Sequence, residues 1–262
     1  MLLADKVVTI VGAGPGLGRR LARRCAEEGA DLVLAARTAA TLAESAEEVR
    51  AAGRRALAVP TDISKPADAR ALAARAMAEF GRIDVLVNAA FPGTHRKNVL
   101  DMDEEYLELW RHCVEIAAFG TLLACRYVAP HMVAAGRGSI VNVTSMSSRV
   151  CYAGRSDYGA GKGAAHKLGQ ALADELGPAG VRVNAVAPGF IWSDTLREWM
   201  EKVAAQEGAT YEEVLARNVR DMALRRIATE DEVANAVIFL ASDRASGITG
   251  TTIDVNAGQL LQ

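Results

Sequence analysis

Aromatic residues are scarce in this chain, 5% of 262 positions, whereas Ala and Gly are abundant. Small residues favour close packing of helices on a sheet over a core of stacked aromatic rings. No stretch reaches 18 uninterrupted apolar residues, so no membrane-spanning helix is expected. Neither charge sign dominates: 30 basic residues face 32 acidic ones, for a net charge of −2. That balance offers no electrostatic reason to expect nucleic acid or an anionic membrane as partner. The four cysteines, Cys25, Cys113, Cys125 and Cys151, form no CxxC pair. A chain of this size folds without disulfide staples, so reduced thiols and a cytoplasmic location are expected. The N-terminus lacks a basic region, a long apolar stretch and a cleavage site in sequence, so no signal peptide is expected. HExxH, a cysteine cluster and Gly-x-Ser-x-Gly are all missing, and His112, His131 and His166 show no ligand spacing. No metal site is expected.

What is present is a rhythm. Half of the residues are hydrophobic and 24% are charged, a balance that supports a packed core rather than disorder. At roughly 150 residues per domain the count lies between one and two, and a single unit over 1–262 is the better reading. Short Val/Ile/Leu runs at 6–11, 31–36, 56–59, 83–88, 139–144, 181–186 and 251–255 alternate with Ala-rich helical stretches. The helical stretches are 17–28, 39–52, 66–80, 103–135 (one helix or two), 158–176 and 231–241. Continuous apolar strands belong to parallel sheets covered on both faces. The fold class is therefore α/β, a doubly wound, mostly parallel Rossmann sheet with right-handed crossovers and helices on both faces. Ligands of such sheets bind beyond the strand C-termini, at the topological switch point. Between Phe190 and Thr229 the rhythm fails, and only amphipathic helix is expected. An insertion at about 190–228 reads as a substrate lid, or else as extra core packing.

The first strand runs into Val11-Gly12-Ala13-Gly14-Pro15-Gly16-Leu17-Gly18, followed by a helix. Glycines in that position let backbone N–H groups of the turn, including Leu17 at the helix start, close around an anion. The spacing is Gly-x3-Gly-x-Gly rather than Gly-x-Gly-x-x-Gly, and no Gly-Lys-Ser/Thr follows. The second strand ends in Ala36-Arg37, where an NAD site places Asp or Glu against the ribose 2′-hydroxyl. A guanidinium there suits a 2′-phosphate, so NADP(H) is expected ahead of NAD(H). A solvated arginine is the alternative. Asp62, with Ile63, follows the third strand and is placed to meet an adenine ring, or to cap a turn at Ser64.

Tyr158 and Lys162 are four apart on one helical face. A tyrosine, with a reference pKa near 10, is a poor base at neutral pH. A lysine cation about 4 Å away would favour the phenolate by roughly 4 kcal/mol at an effective dielectric near 20. Tyr158 is then a candidate general acid/base. Ser145 ends the preceding strand, thirteen residues earlier, where its hydroxyl can bond the same reacting oxygen.

With these motifs the chain resembles the short-chain dehydrogenases/reductases of the compact, single-domain branch, over nearly its whole length. The likeness rests on Gly12-x3-Gly16-x-Gly18, Asp62, Asp84-Val-Leu-Val-Asn88, Ser145, Tyr158-x3-Lys162, Val181-Arg-Val-Asn184-Ala-Val-Ala-Pro188-Gly189 and Ile248-Thr-Gly through Gly258. It implies Tyr158 as proton donor/acceptor, Lys162 as holder of the nicotinamide ribose, and Ser145 on the substrate oxygen. It also implies Asn88, Pro188, Gly189, Ile191 and Ser193 around the cofactor, and a homotetramer or homodimer built on the Tyr158 helix. The expected partner is a small-molecule secondary alcohol or ketone. Met146, Tyr152 and Trp192 are the expected substrate contacts, suggesting an apolar, cyclic molecule. Arg149 and Arg155 flank the same segment and could meet a polar or anionic group, with solvated surface arginines as the favoured alternative.

Two positions depart from the family. Asn88-Ala89-Ala90-Phe91 replaces Asn-Asn-Ala-Gly, and Ala117, seven residues after Trp110, stands where the family keeps an Asn that holds a water linking the lysine to solvent. Three outcomes are open: backbone carbonyls hold the water, activity is low, or a polar group among His112, Cys113 and Glu115 substitutes. The expectation is an NAD(P)-dependent oxidoreductase interconverting secondary alcohol and ketone. The alternative is a catalytically impaired binding or scaffold protein of the same fold. Enoyl reduction ranks lower, because that branch separates Tyr and Lys by six residues rather than three.

Overall fold

A computed structural model describes residues 1–93 and 95–261. Among these, seven parallel strands form the central sheet in the order β3-β2-β1-β4-β5-β6-β9. They are β1 (Val7–Val11), β2 (Asp31–Ala36), β3 (Ala56–Pro60), β4 (Val85–Asn88), β5 (Gly138–Val143), β6 (Val181–Pro188) and β9 (Thr252–Val255). The order reverses direction between β1 and β4, which opens a cleft at the strand C-termini. Register agrees with the apolar pattern: Val8 faces Leu32 on one side and Val85 on the other.

The sheet separates two cores. Helices α1 (Leu17–Glu27), α2 (Ala39–Ala51) and α9 (Glu230–Ala241) cover one face through Leu21, Leu42 and Val237. On the other face lie α3 (Pro66–Phe80), α5 (Thr121–Ala134) and the body of α6 (Ser156–Leu176), through Leu72, Val128, Met132 and Ala173. Side chains such as Leu21 and Leu42 are fully buried, each contributing roughly 1.5–3 kcal/mol relative to exposure.

The expected helix at 103–135 is divided. α4 (Glu104–Val114) and α5 are joined by a π-helical turn, Glu115–Gly120, that contains Ala117. Extra residues in a turn widen a helix locally, and such turns concentrate at functional sites. The whole run Glu104–Ala134 is long and apolar enough to cross a membrane by length and composition. Half of its most apolar window is packed inside the protein, Leu123, Cys125 and Met132 among the buried residues.

The strand-free reading of 190–229 is corrected. β7 (Ile191–Trp192) and β8 (Ala228–Thr229) pair in parallel as a separate two-stranded sheet. Two residues per strand are too few to show a strand pattern in sequence. Between them α7 (Asp194–Glu207) and α8 (Tyr211–Val219) close on a small cluster of their own around Met200, Val214 and Met222. The Ser193 and Thr210 hydroxyls cap these helices, Thr210 within a capping box.

Candidate active site

The glycine turn is held from three sides. Gly12 has φ +95°, its N–H donates to Ala35 O at 2.7 Å, and a Cβ there would lie 2.5 Å from Ala90 N. A Cβ on Gly18 would stand 1.9 Å from Gly12 O, so the start of α1 can lie on the turn only without a side chain. At Gly14, by contrast, a Cβ would meet nothing within 4 Å, so a ligand can approach the backbone there. Gly16 precedes α1 without a side-chain cap, and the first turn of α1 has no acid, leaving N–H groups for an anion. These features fit the pyrophosphate of a dinucleotide. One neighbour opposes an anion: Glu230 Oε1 sits 3.3 Å from a Gly16 Cβ position, balanced by Arg20 at 3.7 Å. Burial pushes the Glu230 carboxyl above its ordinary range.

Arg37 lies exposed just beyond β2, with no ion pair or hydrogen bond from its side chain among the described residues. The Asp62 carboxylate accepts from the Ser64 hydroxyl at 2.7 Å and the Ser64 N–H at 3.2 Å, and pairs with Lys65 at 3.3 Å. The turn role expected at Ser64 is therefore present, and these bonds hold the carboxyl below its ordinary range, Ser64's hydroxyl foremost. Ile63 is buried against the Gly120 backbone, where a Cβ would come within 2.9 Å of it.

Several motif residues hold the fold together. Asn88 is buried and donates its amide to Asn142 Oδ1 at 2.9 Å, tying β4 to β5. The Asp84 carboxylate accepts from Val7 N–H at 2.8 Å. Asn184 donates to Ile248 O at 2.8 Å and accepts from Thr251 N–H, joining β6 to the approach of β9. Gly189 is crowded by Asn256 and Gln259, and Gln259 accepts from Phe190 N–H at 2.9 Å. Pro188 ends β6 in the core. Ile191 is half-buried against the first core, and the Ser193 hydroxyl is taken up as the α7 cap.

The reacting groups meet at the C-terminal end of β5. Lys162 is buried, donates to Val143 O at 2.9 Å, and lies 5.9 Å from the centre of the Tyr158 ring. The Ser145 hydroxyl caps the following turn by accepting from Ser147 N–H at 3.1 Å. The expected lowering of the phenol by lysine is corrected. Burial pushes Tyr158 above its ordinary value, against the pull of Ser145 and the Arg155 guanidinium. Burial also pushes Lys162 down to about 8, so it still carries its charge at neutral pH. Spacing shows that two groups share a face, but not how dry that face is.

Phe91 stands beside this site: its ring meets the Tyr158 ring edge-on at 6.2 Å. Met146 is buried and accepts from the half-exposed Tyr152 hydroxyl at 3.8 Å, while Trp192 stands half-exposed on β7. At Ala117 the carbonyl already accepts from the Thr121 hydroxyl at 2.8 Å, and its Cβ is close to Gly161 of α6. Of the three neighbours considered as substitutes, His112 and Glu115 pair with each other on the surface. Only Cys113 faces inward, toward Lys162 and Asp157, its thiol pushed up to about 11 by burial and by Asp157. The sequence reading missed Asp157 itself, fully buried with His95 Nδ1 at 3.4 Å; an aspartate before a helix tyrosine carries no periodic signal.

A family model described as enoyl-(acyl carrier protein) reductase matches residues 12–259. The chain belongs to the short-chain dehydrogenase/reductase family. The cis-4-hydroxycyclohexanecarboxylate dehydrogenase of Sinomonas cyclohexanicum is 37% identical over 97% of this chain and 96% of its own. Carveol dehydrogenase from Mycobacterium avium, solved with NAD, superposes with a TM-score of 0.91 at 28% identity, covering 100% of this chain and 99% of that one. L-Sorbose reductase from Gluconobacter frateurii, solved with NADPH and L-sorbose, superposes with a TM-score of 0.92 at 27% identity over 100% of both chains. Like other short-chain dehydrogenases/reductases, this protein is an NAD(P)-dependent oxidoreductase acting between alcohol and ketone.

Proposed function

We propose that Tyr158 exchanges the proton of the substrate hydroxyl, with Ser145 bonding the same oxygen. Lys162 holds the nicotinamide ribose and supplies positive charge beneath the phenol. The observation that carries this reading is the convergence of Ser145 and buried Lys162 on one buried tyrosine at the strand C-termini. A bound nicotinamide dinucleotide supplies the hydride chemistry. The protein's own part is to orient the alcohol, exclude water and move one proton. Gly12, Gly14, Gly16, Leu17 and Gly18 cradle the pyrophosphate, and Asp62 and Ile63 border the adenine. Pro188, Gly189, Ile191 and Ser193 border the nicotinamide. Asn88 borders the cofactor cleft, and its amide holds β4 to β5.

We further propose NADP(H) over NAD(H), supported by the unpartnered Arg37 after a neutral Ala36. The segment 190–228 acts as the substrate lid of a single domain, supported by its separate small core. Phe91, Met146, Tyr152 and Trp192 give the substrate an apolar surround, suited to a cyclic alcohol. A homotetramer or homodimer assembled on α6 and a cytoplasmic location complete the reading.

The test is a panel of secondary alcohols and ketones with both dinucleotides, followed by nicotinamide absorbance. Tyr158→Phe should abolish turnover while dinucleotide binding, read by fluorescence titration, stays within threefold. Turnover retained in that variant overturns the role given to Tyr158.

A further inference from the structure

Arg155 immediately precedes α6, three residues before Tyr158. Its guanidinium lies 5.3 Å from the Tyr158 ring centre and is half-buried. Among the described residues its side chain makes no ion pair and no hydrogen bond. The reason lies next door. The adjacent carboxylate, Asp157, is fully buried with His95 Nδ1 at 3.4 Å and makes no ion pair with Arg155. The other arginine of the segment, Arg149, pairs with Asp254. Arg155 also acts electrostatically on Tyr152, Tyr106 and Cys113, so its charge is central to the site.

A half-withdrawn cation without a counter-charge is costly. Tyr158, over whose ring it stands, also meets Phe91, and Tyr152, on which its charge acts, meets Met146. A ligand with an apolar body and one anionic group matches both features. The geometry points to Arg155 as the anchor of a substrate carboxylate, and to an alicyclic secondary alcohol or ketone bearing that carboxylate as the substrate class. The planar guanidinium fork suits a carboxylate bidentately. With the guanidinium 5.3 Å from the Tyr158 ring centre, one ligand can meet both groups. The assignment rests on Tyr158 as the proton-transferring group, and the two claims fail in different experiments.

The probes are 4-hydroxycyclohexanecarboxylate, its methyl ester, and cyclohexanecarboxylate, which has no hydroxyl to oxidise. The wild type should favour the acid over the ester by at least tenfold in kcat/KM. Arg155→Gln should bring that ratio to about one, whatever happens to the absolute rates, and Arg155→Lys should retain part of it. Calorimetric binding of cyclohexanecarboxylate, which needs no turnover, should weaken at least tenfold in Arg155→Gln. Equal handling of acid and ester by the wild type overturns the anchor, as does a ratio that survives Arg155→Gln. If neither hydroxy compound is oxidised, the binding arm decides: equal affinity in wild type and variant, or no binding to either, overturns it.

Discussion

Lys162 donates its buried ammonium to the carbonyl of Val143 at 2.9 Å. One backbone dipole is a small compensation for a cation removed from water, which is why burial brings this lysine down to about 8 from 10.5. The catalytic geometry therefore carries a standing cost in stability.

Lys162→Met removes that cost along with activity. The gap between 10.5 and about 8 corresponds to about 3 kcal/mol. Loss of the bond to Val143 offsets about 1 kcal/mol of it. Below pH 8 the folded wild type bears the full penalty. As pH rises toward 10.5 the unfolded chain binds a proton that the folded chain has released, so wild-type stability rises. Urea unfolding should show the variant about 2 kcal/mol more stable at pH 7, with the advantage gone at pH 10.5. An advantage independent of pH would contradict the buried charge as its source.

Asn88→Ala should cost about 1–3 kcal/mol, because it strips Asn142, itself buried, of its partner at 2.9 Å. Dinucleotide affinity should change less than threefold. A variant of unchanged melting temperature that binds dinucleotide tenfold more weakly would place the Asn88 side chain in the cleft instead.

Arg37→Gln should lower kcat/KM for NADP(H) by tenfold or more, the range of a lost charge-assisted bond to phosphate. The value for NAD(H) should stay within threefold, since exposed Arg37 has no role in the protein's own packing. A wild type that prefers NAD(H) overturns the assignment.

Much of this protein is written in short-range pattern. Continuous apolar runs identified the seven sheet strands, because a strand covered on both faces must be apolar throughout. The glycine turn and the Tyr158–Lys162 face were legible for a similar reason: close backbone approach and helical spacing are properties of a few neighbouring residues. The two-residue strands β7 and β8 were not, being shorter than any period that could reveal them.

Residues far apart in sequence decided the rest. Asn88 carries a motif that reads as a cofactor contact, yet Asn142, 54 positions later, claims its amide. Ala117 reads as a missing function, and only the folded chain shows that its Cβ lies against Gly161, 44 positions later on α6. Tyr158 reads as a phenol lowered by its lysine, but the dryness of the folded site pushes it the other way. Sequence alone determined which residues share a face and which turns need glycine, since those depend on local geometry. Only the tertiary structure decided which side chains are already partnered, which are buried, and which, like Arg155, are left with a charge to satisfy, since desolvation and pairing depend on the whole packed chain.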